Sequence, residues 1–593
     1  MAGRDKTRVA LFALTLATLF YFYPGGDPNQ TSRWLLTDAI VTRGRPDITE
    51  THGGSVDKGE LRGRYYSDKA PGISLLAVPL TAAMRGLERA TGLDPESRPV
   101  LRARVHFLSF LLSGVPAALT GWLLANLAAR LGARRRRADL LGCAYALATL
   151  ALPYGTVLYG HTLSALLVFA AFFRVARAEL DSEAAGDASI ALGARGATIL
   201  GALVASAFVV EYPTFILGAT IALYTLYRTV AAARLAVLGR IALGAAGPGL
   251  VQAAFSTWAF GSPFALPYKY VVEPLFRAHT ASGLFGIGLP IPAAVYGALV
   301  SPYRGIFFFC PVTVLAFAGY AAWLRDGRAL RVAGLSAALS LAGLLFAVSY
   351  YAWDGGLATG SRHLVPIAAF AILPLAFFVE SGRAARAITF ALSVVSALIL
   401  GATLSVTMHL AEGDPFGPSG LYTVVVPSLL RGDLGIFFGD VVGTLPRGDV
   451  AGTVASVLGA PPWLALALPA SAWAVMLAWA SRAFARRREG AMTPETRGSI
   501  ARALGLASAV LGAYVAYAHV LSWRRTAEYR AAPIVVDFAA KATLDAAFPV
   551  EDRGGLAHAM EAARSSSAAD RNAPGDAVTL RGQPTRSRRR AAA

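Results

Sequence analysis

The sequence has little charge, few cysteines and none of the common nucleotide- or metal-binding motifs. Asp, Glu, Lys and Arg make up only 15% of its 593 residues. Its two cysteines, Cys143 and Cys310, lie inside apolar runs, so neither a disulfide framework nor a cysteine metal site is supported. The sequence has no Walker A loop, no dinucleotide-binding glycine motif between a strand and a helix, no HExxH and no nucleophile elbow. These absences disfavour an ATP-driven pump, a redox enzyme and a membrane metalloprotease.

The chain instead has more apolar residues than one or two soluble cores could bury. Hydrophobic residues make up 55% of the sequence, in long runs separated by gaps that are often rich in arginine. This composition indicates a multi-pass membrane protein. The net charge of +19 does not indicate a nucleic-acid partner, because the basic residues gather in the gaps between apolar runs and not on a soluble face.

About thirteen apolar segments are long enough to be transmembrane helices, which predicts an all-α polytopic membrane protein. The first ends at Pro24 without a small-residue cleavage pattern, which favours an uncleaved helix over a signal peptide. The stretches 72–84 and 287–300 are too short or too rich in proline to cross, and are predicted to be interfacial helices. The thirteen segments are 8–23, 104–127, 138–157, 161–178, 194–211, 213–230, 241–259, 305–323, 332–351, 364–380, 387–409, 461–481 and 500–521.

Every second gap between these segments carries arginines, for example 134–137, 325–331 and 486–488. Such gaps are cytoplasmic under the positive-inside rule, so the N terminus is expected to be cytoplasmic and the membrane to be the plasma (inner) membrane of a bacterium. The long gaps of mixed charge are then external. They are 24–103, 260–304, 352–363 and 410–460. Residues 1–521 form the predicted membrane domain, and the tail 522–593 is expected to be external and partly disordered by its composition.

The polar residues that could carry chemistry concentrate in the external gaps, and no charge falls in the middle of a predicted membrane segment. The first external loop has seven acids and seven Lys or Arg between Asp27 and Lys69, and it ends in Gly-Arg-Tyr-Tyr-Ser-Asp-Lys-Ala-Pro-Gly before an interfacial helix. A solvated loop would also carry charges of both signs. However, the loop is bracketed by membrane segments, and its charges could serve an anionic lipid-linked substrate.

Three other external sites stand at the starts of predicted helices. His161 follows Tyr-Gly, and Arg304 lies in Ser-Pro-Tyr-Arg-Gly. Each could simply be a polar anchor at the membrane interface. Trp353 opens a glycine-rich stretch that delivers Arg362 and His363 to a helix N terminus. Backbone N–H groups, the helix dipole and a guanidinium would converge there on an anion.

Together these features resemble the GT-C superfamily of membrane glycosyltransferases. The shared architecture is a cytoplasmic N terminus, one helix, a long external loop with acids near its start, an interfacial helix and many later helices. Members that use polyprenyl-phosphate sugars include the protein O-mannosyltransferases and the aminoarabinose transferase of lipid A. Asp68-Lys69-Ala70-Pro71-Gly72 is similar to the family's Lys-Pro-Pro element, and Gly360-Ser361-Arg362-His363-Leu364-Val365-Pro366 to its Gly-x-Arg-Tyr-x-x-Pro pattern. Asp27 is followed by Pro28, where family members often have an acidic doublet.

The resemblance implies an inverting transfer of a sugar from a polyprenyl-phosphate carrier to a glycan, lipid or protein acceptor of the cell envelope. Asp27 is then the candidate base, with Asp38 as the runner-up. A divalent metal could bind through Asp27, Asp38 or Asp47. The candidates for the lipid phosphate and the sugar are Lys69, Arg304, Arg362, His363, His161, Tyr65, Tyr66 and Trp353.

Two other functions stay open on the sequence. A transporter or lipid flippase would be expected to show inverted repeats, broken helices or a charge near the bilayer midplane, although flippases for bulky lipids can do without such charges. None of these features is visible in the sequence. A non-enzymatic envelope assembly protein would account for the predicted external tail and for little else.

Overall fold

The computed structural model describes most of the chain up to residue 531. The described residues all belong to the first of two units into which the chain divides, Met1–Ile534. The predicted external loop 410–460, the candidate helix 461–481 and the tail 522–593 lie largely outside them. The described residues are 2–25, 27–281, 283–410, 415, 419–432, 434, 452–458, 460–467, 469–471, 474 and 498–531.

The described residues are mostly helical, with two short antiparallel sheets. The strands are β1 (Phe22–Tyr23), β2 (Lys58–Leu61), β3 (Arg64–Ser67) and β4 (Gly452–Thr453), and they pair as β1 with β4 and β2 with β3. The helices are α1 (Ala2–Tyr21), α2 (Pro28–Arg43), α3 (Gly72–Ala90), α4 (Arg98–Ser109), α5 (Val115–Arg130), α6 (Arg135–Ala148), α7 (Ala151–Tyr154), α8 (His161–Ala185), α9 (Gly193–Val210), α10 (Phe215–Arg228), α11 (Arg234–Phe260), α12 (Pro274–Thr280), α13 (Pro292–Leu299), α14 (Ile306–Phe309), α15 (Leu315–Asp326), α16 (Leu330–Ser349), α17 (Ala368–Ile372), α18 (Leu375–Phe378), α19 (Arg383–Val406), α20 (Val426–Arg431), α21 (Val454–Val457) and α22 (Gly498–Ala531).

The chain is a multi-pass membrane protein. Six helical stretches of the described part are long and apolar enough to cross a membrane. The predicted count of thirteen crossings is therefore not confirmed, and the predicted segments 305–323 and 364–380 are interrupted in the described part. The six are Pro99–Arg130, Gly193–Val210, Ala231–Phe260, Leu330–Ser349, Arg383–Val406 and Ala501–Arg524.

Proline accounts for the interruptions. A proline has no N–H to donate and clashes with the preceding turn, so regular helix tends to stop before it. The stretch 305–323 is broken by a 3₁₀ turn that begins at Pro311. The stretch 364–380 contains Pro366 and Pro374, and it is divided into a 3₁₀ segment, Arg362–Ile367, followed by α17 and α18. Hydropathy alone does not register these breaks.

The two predicted interfacial helices have different outcomes. The stretch 72–84 forms part of a longer helix, α3, whose first residue packs closely on the end of α9. A Cβ on Gly72 would lie 2.7 Å from the carbonyl oxygen of Val209, so only glycine fits there without a shift. The stretch 287–300 is helical only over α13, and its start pairs with the end of α16 through the hydrogen bond from Ile291 N to Val348 O (2.9 Å).

The loops predicted to be external contact one another at one end of the helices. We call this the loop end, formed by residues 24–103, 260–304, 352–363 and 407–410. The β2–β3 hairpin pairs with the second loop, where Gly59 and Val271 form an antiparallel bridge. The third loop reaches the end of α19, where Ala358 N donates to Leu410 O (3.2 Å). The segments thus share one side, as the alternation of arginines predicts.

The opposite end of the helices, which we call the arginine end, is held by arginine–carboxylate pairs. Arg137 at the start of α6 pairs with Glu380 before α19. The Nε of Arg228 at the end of α10 lies 2.6 Å from Oε1 of Glu179 on α8. These pairs join gaps that are far apart in sequence and that were predicted to share the cytoplasmic side.

Helix α11 packs on α9 through backbone contact at a glycine, which yields a first testable prediction. A Cβ on Gly244 would lie 1.8 Å from the carbonyl oxygen of Thr198, whereas a Cβ on Gly247, one turn along α11, would meet nothing within 4 Å. We expect Gly244→Ala to lower the melting temperature and folded yield in detergent, because overpacking costs about 1–3 kcal/mol. Gly247→Ala is the matched control and should be neutral or slightly stabilising, since alanine favours helix by up to about 1 kcal/mol. Equal melting temperatures for the two variants would contradict this packing.

Candidate active site

Asp27 lies between α1 and α2 and joins three distant parts of the chain. It caps the N terminus of α2, where its Oδ1 accepts hydrogen bonds from the backbone N–H groups of Asn29 (2.8 Å) and Gln30 (3.1 Å). The same oxygen accepts from the Tyr159 hydroxyl (2.6 Å), just before α8. Its Oδ2 lies 3.1 Å from Nε2 of His409, after α19. A carboxylate at this position therefore fixes the start of α2 against two other loop-end segments.

The environment of Asp27 favours the ionised carboxylate. Burial alone would raise the pKa of Asp27, but hydrogen bonds from His409, Tyr159 and the Gln30 N–H outweigh it and hold the pKa below its usual value. Oδ1 accepts three hydrogen bonds and Oδ2 only one. Because each carboxylate oxygen has two lone pairs, Oδ2 keeps the capacity to accept another proton donor.

Lys69 sits in a buried cluster with two carboxylates. Its Nζ lies 3.0 Å from Oδ2 of Asp57 and 3.1 Å from Oδ1 of Asp68. Burial lowers the pKa of Lys69, but the two carboxylates raise it by more than burial lowers it, so the ammonium form is favoured. Hydroxyls fix the hairpin on α2, since Ser32 Oγ donates to Asp57 O (2.6 Å) and hydrogen-bonds to Ser67 Oγ (2.8 Å). Asp57 is a site residue that the sequence did not single out.

Asp68 titrates close to neutral pH. Desolvation raises the pKa of its carboxyl to about 6, against the lowering effect of Lys69, and the charge of Asp57 raises it further. Carboxyl groups whose pKa is raised by burial and a neighbouring charge are found at functional sites and also in structural ion-pair networks.

The raised pKa of Asp68 predicts a pH-dependent stability. Below about pH 4 the carboxyl is protonated whether or not the chain is folded, and above about pH 6 its charge destabilises the fold by about 3 kcal/mol. Stability from this group is therefore lost as the pH rises through 4 to 6. We expect Asp68→Asn to melt at a higher temperature than the wild type at about pH 7.5, and the difference to shrink towards about pH 4.5. Thermal melts of both proteins across this pH range measure the difference in melting temperature, and Glu60→Gln, at an exposed position of the hairpin, is the control. A difference between Asp68→Asn and the wild type that does not change with pH would contradict the prediction.

Arg362 opens the segment after the third loop, and no carboxylate of the described part forms an ion pair with it. Its buried Nε has no hydrogen-bond partner among the described residues. The side chain packs against Gly355, whose φ of +78° and close approach (3.0 Å from a Cβ to Cγ of Arg362) both require glycine. Asp27, Asp57 and Lys69 lie near enough to interact with it electrostatically. A partly buried guanidinium in this state has the charge and the donors to bind an anion.

Arg33 and Glu211 form a second buried pair beside this cluster. Nη2 of Arg33 lies 2.9 Å from Oε2 and 3.3 Å from Oε1 of Glu211, at the end of α9. Its Nε donates to Asn29 Oδ1 (2.9 Å) and its Nη1 to Ala70 O (3.3 Å). Arg33 is thus satisfied within the protein and links α2, α3 and α9. The sequence signal for Glu211 was its place at a helix end before Pro213.

A narrow, half-open groove with a volume of about 20 Å³ adjoins these pairs between the start of α8, α10, α16 and the segment after Arg362. Its polar residues are Glu211, Thr214, His161 and His363, and the Nε2 of His161 has no hydrogen-bond partner in the described part. Large apolar side chains on the neighbouring faces of α10 and α16 are exposed, as on lipid-facing surfaces. They are Phe215, Leu223, Leu341 and Leu345. The other residues that line the groove are Pro213, Ile216, Leu217, Gly343, Phe346, Pro366 and Ile367.

Two predicted ionic residues have partners of their own. Asp38 lies on α2 beyond Asp27, and Nη1 of Arg85 on α3 lies 3.5 Å from its Oδ1. Eleven residues of helix place it roughly 16 Å from Asp27.

The buried Arg304 donates from Nη2 to Gly356 O (2.6 Å) and Leu410 O (2.9 Å), and so holds the third loop.

The aromatic candidates and His363 contact other residues of the protein. Tyr65 stacks on His52, with ring centres 4.0 Å apart. Tyr66 is buried against Phe260 in a small apolar cluster. Trp353 covers Gly297 of α13, where a Cβ would lie 2.1 Å from its ring. Nε2 of His363 lies 2.9 Å from Ala352 O while the side chain also lines the groove.

The three aspartates considered for a metal do not form one site. Asp47 lies 3.7 Å from Nε of Arg45 and 3.9 Å from Nη1 of Arg64, and Asp38 pairs with Arg85. Among the residues that the structure describes, no three His, Cys, Asp or Glu side chains come together in the geometry of a metal site.

No family model and no curated protein matches the chain. Similar solved structures include the archaeal oligosaccharyltransferase AglB from Archaeoglobus fulgidus in complex with an inhibitory peptide and a dolichol-phosphate. It is 12% identical with a TM-score of 0.42, and the match covers 68% of this chain and 54% of AglB. Two structures of ArnT from Cupriavidus metallidurans, one bound to undecaprenyl phosphate and one apo, are 12% and 16% identical with TM-scores of 0.40 and 0.41. These matches cover 89% and 88% of this chain and 77% of ArnT.

The chain is similar to these oligosaccharyltransferase and ArnT structures at low identity and at TM-scores below 0.5. The chain spans about half the length of AglB. At TM-scores below 0.5 the likeness gives no information on substrate or residue roles, which are argued below from the geometry of the site.

Proposed function

We propose that the chain is an integral membrane glycosyltransferase that moves a sugar from a polyprenyl-phosphate carrier to an envelope acceptor. The observation that supports this most is the position of Arg362, a guanidinium without a carboxylate partner among the described residues, within electrostatic range of Lys69 and Asp27. These three residues come from separate parts of the chain and lie at the loop end, beside a groove with apolar walls. An anionic headgroup on an apolar chain has the chemistry that such a groove would bind.

The lipid phosphate lies between Arg362 and Lys69 in this proposal. Glu211 neutralises Arg33, and Asp57 and Asp68 hold Lys69, whereas no ion pair of Arg362 with a carboxylate is found among the described residues. The prenyl chain would run along the apolar part of the groove towards the exposed faces of α10 and α16. Arg362 and Lys69 would stabilise the charge that develops on the phosphate as it leaves.

Asp27 is the proposed base. Its carboxylate is held ionised and oriented by Tyr159 and His409, and Oδ2 has a lone pair that can accept one more proton donor. The acceptor hydroxyl would give its proton to Oδ2 while its oxygen attacks the anomeric carbon. The bond from that carbon to the phosphate oxygen breaks, the lipid phosphate leaves, and the configuration inverts. Asp38 does not take this role, because it lies roughly 16 Å along α2 from Asp27 and pairs with Arg85.

A lipid flippase is the second candidate, because the groove and Arg362 would serve a lipid phosphate that is moved and not cleaved. It differs in its products, since a flippase leaves the bond between sugar and phosphate intact.

The orientation of the site follows from the arginine pattern in either case. We propose that the loop end faces outwards and that the arginine end faces the cytoplasm.

Membranes that contain the protein provide the test. They are incubated with a panel of sugar-labelled polyprenyl phosphates and envelope extract, and the label is followed to the acceptor fraction. We expect transfer with at least one donor, together with the release of unlabelled polyprenyl phosphate in equal amount. Movement of an intact donor across the membrane, with no label on any acceptor, would favour the flippase and contradict the transferase.

A further inference from the structure

Three arginines of the arginine end come together on two neighbouring helices, and the carboxylate found close to them in the described part is Asp181, beside Arg177. We call Arg174, Arg177 and Arg195 the α8–α9 arginine cluster, because the first two lie on α8 and the third in the first turn of α9. Elsewhere on this end, several half-buried arginines pair with a carboxylate at short range. These pairs are Arg137 with Glu380, Arg228 with Glu179 and Arg135 with Asp139.

The centre of the cluster is Arg174. Its Nε is buried and has no hydrogen-bond partner among the described residues. Its guanidinium lies against the first turns of α9, since a Cβ on Gly196 would be 3.2 Å from Nη2. The charged groups that interact with it are Arg177 and Arg195, both cations. Like charges this close repel one another, so the arrangement favours an anion from outside the protein.

One carboxylate borders the cluster. Nε of Arg177 lies 3.7 Å from Oδ2 of Asp181, and both side chains are more than half exposed. An exposed pair of this kind is worth little and leaves the cations free to bind elsewhere. The start of α9 adds to the positive potential, because no side chain caps its first N–H groups.

The position of the cluster indicates which anion reaches it. Arg174 lies thirteen residues after His161, so it is roughly 20 Å along α8 from the loop end. Arg195 begins α9, one of the helices that can cross the membrane. The cluster therefore lies towards the arginine end of α8 and α9, and basic pockets between helices on that side of a membrane bind anionic lipids.

We propose that Arg174, Arg177 and Arg195 bind the headgroup phosphate of an anionic phospholipid from the membrane leaflet at the arginine end. Guanidinium groups suit this ligand because they bind phosphate oxygens with two parallel hydrogen bonds. The site is separate from the groove at the loop end and does not depend on the sugar chemistry proposed for it.

The test compares lipids retained by the purified full chain after reconstitution in phosphatidylcholine mixed with phosphatidylglycerol. Native mass spectrometry of the re-isolated protein gives the ratio of the two bound lipids. Each basic residue near an anionic lipid is worth roughly fivefold in affinity, so Arg174→Gln/Arg195→Gln should lower the ratio by about 10-fold or more. The matched control, Arg325→Gln/Arg383→Gln, removes the same charge from exposed positions of the same end and should leave the ratio close to that of the wild type.

Three results would overturn the proposal. The first is a wild-type lipid ratio in the double variant of the cluster. The second is an equal loss in the control variant and the cluster variant. The third is a protein that binds the two lipids equally and releases them when inorganic phosphate is added, which would indicate a site for free phosphate. Arg195→Gln alone changes an exposed residue and should lower the ratio about fivefold, so the test holds even if the double variant folds poorly.

Discussion

Arg362→Gln is expected to reduce sugar transfer by about 100-fold or more while the protein stays folded. The wild-type guanidinium makes no hydrogen bond through its buried Nε to any described residue, so its removal breaks no contact of that atom. What is lost is the charge that the structure presents to a phosphate. Glutamine keeps much of the side-chain volume that packs against Gly355. Transfer is measured in proteoliposomes with the donor that the wild type uses.

Two further variants sharpen this prediction. Arg362→Lys keeps a charge but not the forked donor geometry, and should recover part of the activity. Arg64→Gln removes an exposed cation from the β2–β3 hairpin and should leave transfer unchanged. Full activity in Arg362→Gln, with the melting temperature of the wild type, would remove Arg362 from the site.

The second large effect is expected at Asp27, where two substitutions separate structure from chemistry. Asparagine is about as good an N-cap as aspartate and can still accept from Asn29 N–H and Tyr159. It cannot take a proton from an acceptor. Asp27→Asn should therefore stay folded and lose about 100- to 10,000-fold in transfer rate, the usual contribution of a general base.

Asp27→Ala should lose stability as well as activity. It removes the helix cap, at a cost of about 1 kcal/mol. It also leaves the buried Tyr159 hydroxyl and His409 without their partner, at about 1–3 kcal/mol each. Melting temperature and transfer rate are measured on both variants. If Asp27→Asn kept most of the wild-type rate, Asp27 would be a structural cap only, and a base would have to be sought among the other loop-end carboxylates.

The sequence predicts the membrane class of this chain and the end at which its polar residues gather. Long apolar runs identify the membrane helices, and the arginines at alternate gaps indicate which loops lie on the same side. The contacts between Gly59 and Val271 and between Ala358 and Leu410 follow that alternation. The number of crossings is not predictable in the same way, because Pro311 and Pro366 interrupt helices whose hydropathy is that of a continuous span.

The composition of the site depends on pairings that a single sequence does not reveal. Asp27 and His409 are 382 residues apart, and Arg33 and Glu211 are 178 apart. Asp57 has the same local context as the other acids of the first loop, and only the folded hairpin brings it to Lys69. Conversely, Tyr66 is a candidate for sugar binding by its sequence. Because side chains alternate between the two faces of a strand, however, Tyr66 points into the apolar cluster that contains Phe260.

The central claim is that Arg362 and Lys69 hold the phosphate of a polyprenyl-phosphate sugar at the polar end of the groove. The most direct measurement is a cryo-electron microscopy structure of the full chain in lipid nanodiscs with added undecaprenyl phosphate. We predict density for the phosphate within hydrogen-bond distance of both the Arg362 guanidinium and Lys69 Nζ, with the prenyl chain between α10 and α16. A lipid phosphate bound elsewhere, with Arg362 still unoccupied, would contradict the claim.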